Sequence, residues 1–257
     1  MPHAAGPWYE WHGPEDGQVL ILSPGLGGSA DYWKPNLPGL SETYRVLVYD
    51  HLGTGRSDPA PPERITIEGM AEDILALMQE LGVSQPYFVG HALGGLIGLE
   101  LELSYFATRK LVVVNGWAKL DPHTARCFDV RMELLRNSGP EAYLRAQPIF
   151  LYPADWISEH SDELDAVATR QLTHFPPIEV IEKRVAAARA FGLLHDITGP
   201  VLVVGSADDM LVPPHCSREL ADELAIGEFA LMDWGGHACN VTDPDTFNRI
   251  VLEFLRS

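Results

Sequence analysis

The stretch Phe88-Val89-Gly90-His91-Ala92-Leu93-Gly94-Gly95 sets the terms for the whole chain. An apolar run over 86–89 reads as a buried strand, and Leu93, Leu96, Ile97, Leu99 and Leu103 follow at helical spacing. Glycines stand two residues before and two after Ala92. That is the spacing of a sharp strand–turn–helix, a nucleophile elbow, which presents its central residue at the end of a sheet. The turn strains its central backbone, and the flanking glycines remove side chains that would collide there. The centre here is a methyl group, which cannot attack a carbonyl. Any chemistry must therefore come from other residues.

Around the elbow, strands alternate with helices. Segments 8–12, 19–22, 44–49, 111–114, 201–204 and 229–232 read as strands, several of them apolar on both faces. Thr66 caps a helix with a Met70, Ile74, Leu77, Met78, Leu81 stripe that Gly82 ends. Pro59, Pro61 and Pro62 forbid regular structure before it. Another helix follows Pro213-Pro214 to about residue 225, and a last one follows Thr242 with Phe247, Ile250, Val251 and Phe254 inward. This alternation implies a mostly parallel α/β sheet covered on both faces. From about 120 to 195 the pattern changes to helices without strands, at 124–135, 140–146, 162–174 and 178–191, with an irregular stretch at 147–156. We therefore expect a core from 1–117 and 196–257, and a helical cap inserted at 118–195.

Composition narrows the function. A length of 257 residues supports one full core without metals or disulfides. The formal net charge of −18 argues against nucleic acid and anionic membrane as partners, leaving a small-molecule substrate, with a homodimer as the oligomeric option. Cys127, Cys216 and Cys239 form no disulfide framework and no C-x-x-C pair. The histidines are scattered, so no metal and no cofactor is expected. The start shows no basic and apolar leader pattern, and no apolar run reaches membrane-spanning length, so a cytoplasmic setting is expected.

Three further loops carry candidate chemistry. Ser23-Pro24-Gly25-Leu26-Gly27-Gly28-Ser29 leaves a central strand. It reads as an oxyanion loop whose Leu26 N–H would act with that of Leu93, or else as a plain turn. A phosphate-cradling loop would need a following Gly-Lys-Ser/Thr, which is absent. The loop after 201–204 holds Asp208 and Asp209, and the loop after 229–232 holds His237. We expect Asp208 to orient His237 and Asp209 to face solvent. A carboxylate on one imidazole nitrogen leaves the other free to take a proton from water. Asn115 and Trp117, at a strand's carboxyl end, should face the site as substrate contacts. His51 and His91 would support the site, with a ligand contact open to each. Arg126 is balanced between a surface role and attraction of a carboxylate. Phe150, Tyr152 and Trp156 form an aromatic cluster for which packing is the commoner role, and Tyr152 and Trp156 are candidate pocket residues. Cys239 reads as packing.

The order elbow, acid, histidine is that of the α/β-hydrolase fold, which the chain resembles throughout. More narrowly it is similar to the RutD family of the bacterial pyrimidine-degradation (Rut) pathway. The similarity is carried by Pro24-Gly25-Leu26-Gly27-Gly28-Ser29, Gly90-His91-Ala92-Leu93-Gly94, Asn115-Gly116-Trp117, His123-Thr124 with Arg126-Cys127-Phe128, Ala146 through Trp156, and Gly235 through Pro244. The resemblance implies that alanine at the elbow is native to the family. It also implies hydrolysis of a labile intermediate of uracil use, either carbamate to carbon dioxide and ammonia or aminoacrylate to malonic semialdehyde and ammonia. Loss of a serine nucleophile lowers a serine protease's rate by ~10⁶, so only a substrate that already decays in water suits the remaining machinery. Two other readings compete: a degenerate hydrolase that binds or sequesters its ligand, and cofactor-free base chemistry without hydrolysis.

Overall fold

Strand residues divide by parity between two apolar faces, and this fixes the sheet. The computed structural model describes residues 6–58, 64–193 and 197–257. The prolines at 59, 61 and 62, the start of the chain, and the junction at 195–196 lie outside them. The strands are β1 (Tyr9–His12), β2 (Val19–Ser23), β3 (Arg45–Tyr49), β4 (Tyr87–His91), β5 (Lys110–Val114), β6 (Val201–Ser206) and β7 (Gly227–Met232). They form one seven-stranded sheet in the order β1-β3-β2-β4-β5-β6-β7, antiparallel only at β1–β3. Ile21, Leu47, Phe88, Val113 and Val203 point into one cluster, while Leu22, Val48, Val89, Val112 and Val204 point into the other. Each such buried side chain contributes about 2 kcal/mol.

The chain runs from β2 outward to β3, then crosses back to β4 on the other side of β2. This reversal opens a crevice beyond the carboxyl ends of β2 and β4, where open α/β sheets bind ligands. The loop carrying Leu26 and the turn carrying Ala92 flank that crevice.

The helices are α1 (Leu37–Ser41), α2 (Ile67–Glu80), α3 (Leu93–Tyr105), α4 (Pro122–Leu151), α5 (Ala154–Glu159), α6 (Ser161–Thr173), α7 (Ile178–Ala190), α8 (Pro214–Glu223), α9 (Cys239–Thr242) and α10 (Pro244–Arg256). Thr66 caps α2 by accepting from Gly69 N–H, and α10 buries Phe247, Val251, Phe254 and Leu255. Helices α4 to α7 lie between β5 and β6. Here the structure differs from the sequence expectation. The stretch 147–156 is mostly helical: α4 continues through Pro148 to Leu151, and α5 begins at Ala154. A break at Gly139, where φ is +84°, divides α4 and leaves Pro140 at the start of its second half, where a missing N–H is tolerated. No helix among the described residues is long and apolar enough to cross a membrane.

Candidate active site

The elbow is built as its spacing demands. Ala92 has φ +47° and ψ −110°, a conformation that L residues rarely adopt. A Cβ on Gly90 would run into the backbone of Gly94 and Gly95, so the strand can enter the helix this tightly only without one. The Ala92 N–H donates to Val114 O at 2.8 Å, which ties the turn to β5. Leu93 opens α3, so its N–H has no carbonyl one turn back. Across the crevice, the Leu26 loop is held by His51, whose Nε2 donates to Pro24 O at 3.0 Å and whose N–H donates to Gly28 O at 2.8 Å. Arg184 of α7 donates to Leu26 O (3.2 Å) and Leu52 O (2.9 Å), fastening the inserted helices to the same loop.

The carboxylate on the His237 imidazole is that of Asp209, and the expected contact with Asp208 is corrected. His237 Nδ1 donates to Asp209 Oδ2 at 2.8 Å, with both side chains buried. Asp209 Oδ1 accepts from the N–H groups of Leu211 and Val212 at 2.7 and 2.9 Å. A turn after β6, closed by Asp209 N–H to Ser206 O, brings residue 209 inward. Asp208 is half-buried and does different work: its Oδ1 accepts from Ser206 Oγ and Gly236 N–H, both at 2.8 Å. It ties the acid loop to the histidine loop without touching the imidazole.

His237 is held from behind as well. Its carbonyl accepts from His91 Nε2 (2.8 Å) and Asn115 Nδ2 (2.7 Å). The His91 ring lies between Tyr32 and His237, with centroids 4.6 and 4.7 Å away. Burial first, then the neighbouring His237, pushes the His91 pKa well below its ordinary value. Burial, then the charge of Arg184, pushes His51 down to about 3. Both rings are therefore neutral donors in this fold. His237 Nε2 has no protein hydrogen bond among the described residues. The loop reaches this position because Gly236, at φ +69°, leaves room for Leu151 O and Tyr152 of the insertion. The Ala238 N–H completes the contact by donating to Leu151 O at 2.9 Å.

The other expected contacts divide. Asn115 is 1% exposed: its Nδ2 donates to His237 O, and its Oδ1 is buried with no partner among the described residues. His91 Nε2 donates to the same carbonyl, a supporting contact. Trp117 is buried, packs on Phe128 with centroids 6.5 Å apart, and leaves Nε1 unpartnered among the described residues. Tyr152 adjoins the histidine loop at Gly236, and Trp156 stacks on the Tyr152 ring and on His160. Arg126 is exposed. The buried arginine of α4 is Arg131, which sequence reasoning missed. Thr124, Cys127, Phe128, Arg131, Met132 and Leu135 form the buried stripe of α4, and its 3–4 spacing was the available signal.

None of the cysteines replaces the missing nucleophile. Burial pushes the Cys216 and Cys239 thiols up to about 12 and raises Cys127, so each stays protonated. Asp121, His215 and Cys216 present donor atoms within 4.8 Å of one another. The Asp121 side chain already caps the start of α4, accepting from His123 N–H.

A sheet of this order, an elbow at its centre and an Asp–His pair on the following loops define an α/β hydrolase. A family profile described as alpha/beta hydrolase fold matches residues 18–125. The enol-lactonase of Burkholderia xenovorans LB400 superposes with a TM-score of 0.87 at 27% identity, over 98% of this chain and 96% of that one. Two relatives named "Putative carbamate hydrolase RutD" are closer in sequence. That of Caulobacter vibrioides (strain NA1000 / CB15N) is 49% identical over 96% of this chain and 94% of its own. That of Serratia proteamaculans (strain 568) is 50% identical over 92% and 90%. The chain belongs to the RutD family.

Proposed function

We propose that the protein hydrolyses a small, labile nitrogen-bearing acid in uracil and pyrimidine breakdown, carbamate or aminoacrylate, using water in place of a side-chain nucleophile. The observation that carries this reading is the buried His237–Asp209 pair at 2.8 Å, with Nε2 left unpartnered among the described residues, in a site whose elbow bears only a methyl. Nε2 takes a proton from water as its oxygen adds to the carbon bearing nitrogen. The imidazolium returns that proton to nitrogen, which leaves as ammonia. Carbamate ends as bicarbonate, in equilibrium with carbon dioxide. Aminoacrylate reacts through its imine tautomer: the first proton returned gives the carbinolamine, and its hydroxyl proton then passes by Nε2 to nitrogen as ammonia leaves and malonic semialdehyde forms. Where charge develops on oxygen, the Leu26 and Leu93 N–H groups are the donors, each typically worth about 3 kcal/mol. The name borne by the relatives supports carbamate, and family membership supports a hydrolytic step in the Rut pathway.

The test is the lifetime of freshly generated carbamate and aminoacrylate with and without protein. The wild type shortens one of them, and His237→Ala returns it to the value in buffer. Ligand-dependent thermal stabilisation without any shortening would replace this reading with that of a binding protein. Release of product without oxygen from labelled water would point to base chemistry other than hydrolysis.

A further inference from the structure

We propose that Arg131, with the indole N–H of Trp117, forms a recognition point for a small carboxylate anion beneath the inserted helices. This deepens the hydrolytic reading by naming the substrate feature that the insertion recognises, and it rests on that reading only for the reaction's identity. Arg131 is 5% exposed, and among the described residues its guanidinium makes one hydrogen bond, from Nη2 to Tyr143 Oη at 3.1 Å. Its Nε is buried with no partner. The charge is enclosed by the rings of Phe128, Tyr143 and Phe150, each with its centroid 5.6 to 5.8 Å from Cζ.

The chain has 36 acidic and 18 basic residues, so a carboxylate partner was available in abundance. Arg56, Arg136 and Arg189 each have one. Arg131 has none among the described residues, although a buried unpaired cation is strongly disfavoured. Arg184 is the informative contrast. It too is buried without an acid, but its donors are committed to two backbone carbonyls.

A second observation points the same way. Trp117, whose ring also packs on Phe128, has its Nε1 buried and unpartnered among the described residues. Both groups can only donate, so the ligand that satisfies them is rich in acceptors. A carboxylate meets an arginine fork with two parallel bonds. The position adjoins the Asp209 loop: on the same helix face Thr124 Oγ1 donates to Leu211 O at 2.9 Å, and Cys127 Sγ lies 3.8 Å from Met210 O. Phe150 against Arg131 is followed directly by Leu151, which accepts from the N–H after His237.

Propionate and its neutral isostere propionamide are the probes, titrated against the full chain by ligand-observed NMR. The wild type binds propionate about tenfold or more tightly, the effect of one charge-assisted contact. Arg131→Met abolishes the preference, Arg131→Lys keeps part of it, and Trp117→Phe weakens propionate alone. Arg126→Met and His237→Ala leave the preference whole. The anion site and the hydrolytic reading can therefore fail separately, because neither probe is turned over. Equal affinity for the two probes in wild type, or an undiminished preference in Arg131→Met, overturns the proposal. Should Arg131→Met not fold, an undiminished preference in both Arg131→Lys and Trp117→Phe overturns it.

Discussion

At the end of β4 the backbone keeps the shape of a nucleophile-bearing turn, while at the end of β7 the side chains keep the hydrogen bonds of a working base. The elbow retains a strained φ of +47° at Ala92 for a residue that cannot react. The histidine loop retains a buried acid on Nδ1 and two donors on its carbonyl. What survives at the elbow is the part that does not depend on the Ala92 side chain, namely the helix start that presents the Leu93 N–H. What survives at the histidine is everything. Water can replace a hydroxyl as nucleophile, but nothing in solvent replaces an oriented imidazole.

That contrast is broken most directly at the aspartates. Asp209→Asn should slow the catalysed decay of carbamate or aminoacrylate by ~10²-fold or more, because an amide neither fixes the tautomer nor stabilises the imidazolium. Asp208→Asn should lower it by less than ~10-fold, since an amide oxygen can still accept from the Gly236 N–H. Equal losses in the two variants would mean that the Asp209 contact is not the one that matters.

The two histidines that hold the loops give the next effect. The folded pKa of His51, about 3, and that of His91 lie below the ordinary value of ~6.5 that an unfolded chain would show. The unfolded state therefore binds more protons between those values, so stability rises with pH. Their contribution is complete above about 6.5 and is lost as pH falls toward the folded values, with a limiting slope of about 1.4 kcal/mol per pH unit for each ring. Denaturant midpoints from pH 7 to 5 should fall less steeply for the double variant His51→Gln, His91→Gln, whose amides can donate the same bonds without titrating. Parallel slopes would show that these rings already accept protons in the fold.

The carbonyl side of the histidine loop comes next. Asn115 sits at φ +50°, so glycine removes its side chain without straining the backbone. Asn115→Gly should lower stability by about 1–2 kcal/mol and reduce the maximal rate more than substrate affinity. A change in affinity alone would return Asn115 to the role of ligand contact.

These particulars show what the sequence could and could not reveal. Strand parity, the glycine spacing at 90 and 94, and the Thr66 cap are local signals, and the sheet and elbow follow from them. Asp208 and Asp209 share one loop and one chemistry. Only a turn closed by two hydrogen bonds from Leu211 and Val212 decides which faces inward. Asn115 ends a strand and is expected at the ligand, while His91 is expected chiefly to support the site; both donate to the His237 carbonyl, a partner more than 120 residues away. Arg131 was legible in principle from the phase of α4. The stretch 147–156 reads as irregular in the sequence, yet Pro148 is accommodated within the second half of a broken helix.

The smallest effect bears most directly on the elbow. A non-glycine residue held at such angles carries about 1–3 kcal/mol of strain. Glycine relieves that strain but gives back about 0.5–1 kcal/mol through the greater freedom of the unfolded chain. Ala92→Gly should therefore raise stability by about 1 kcal/mol, measured as a denaturant midpoint at constant slope. It should also leave the catalysed rate nearly unchanged, because the Ala92 N–H bond to Val114 and the start of α3 do not need the methyl. A destabilised variant would mean that the backbone there is relaxed. A stabilised but inactive one would mean that the methyl itself, by shaping the space the water occupies, is the part of the elbow that still matters.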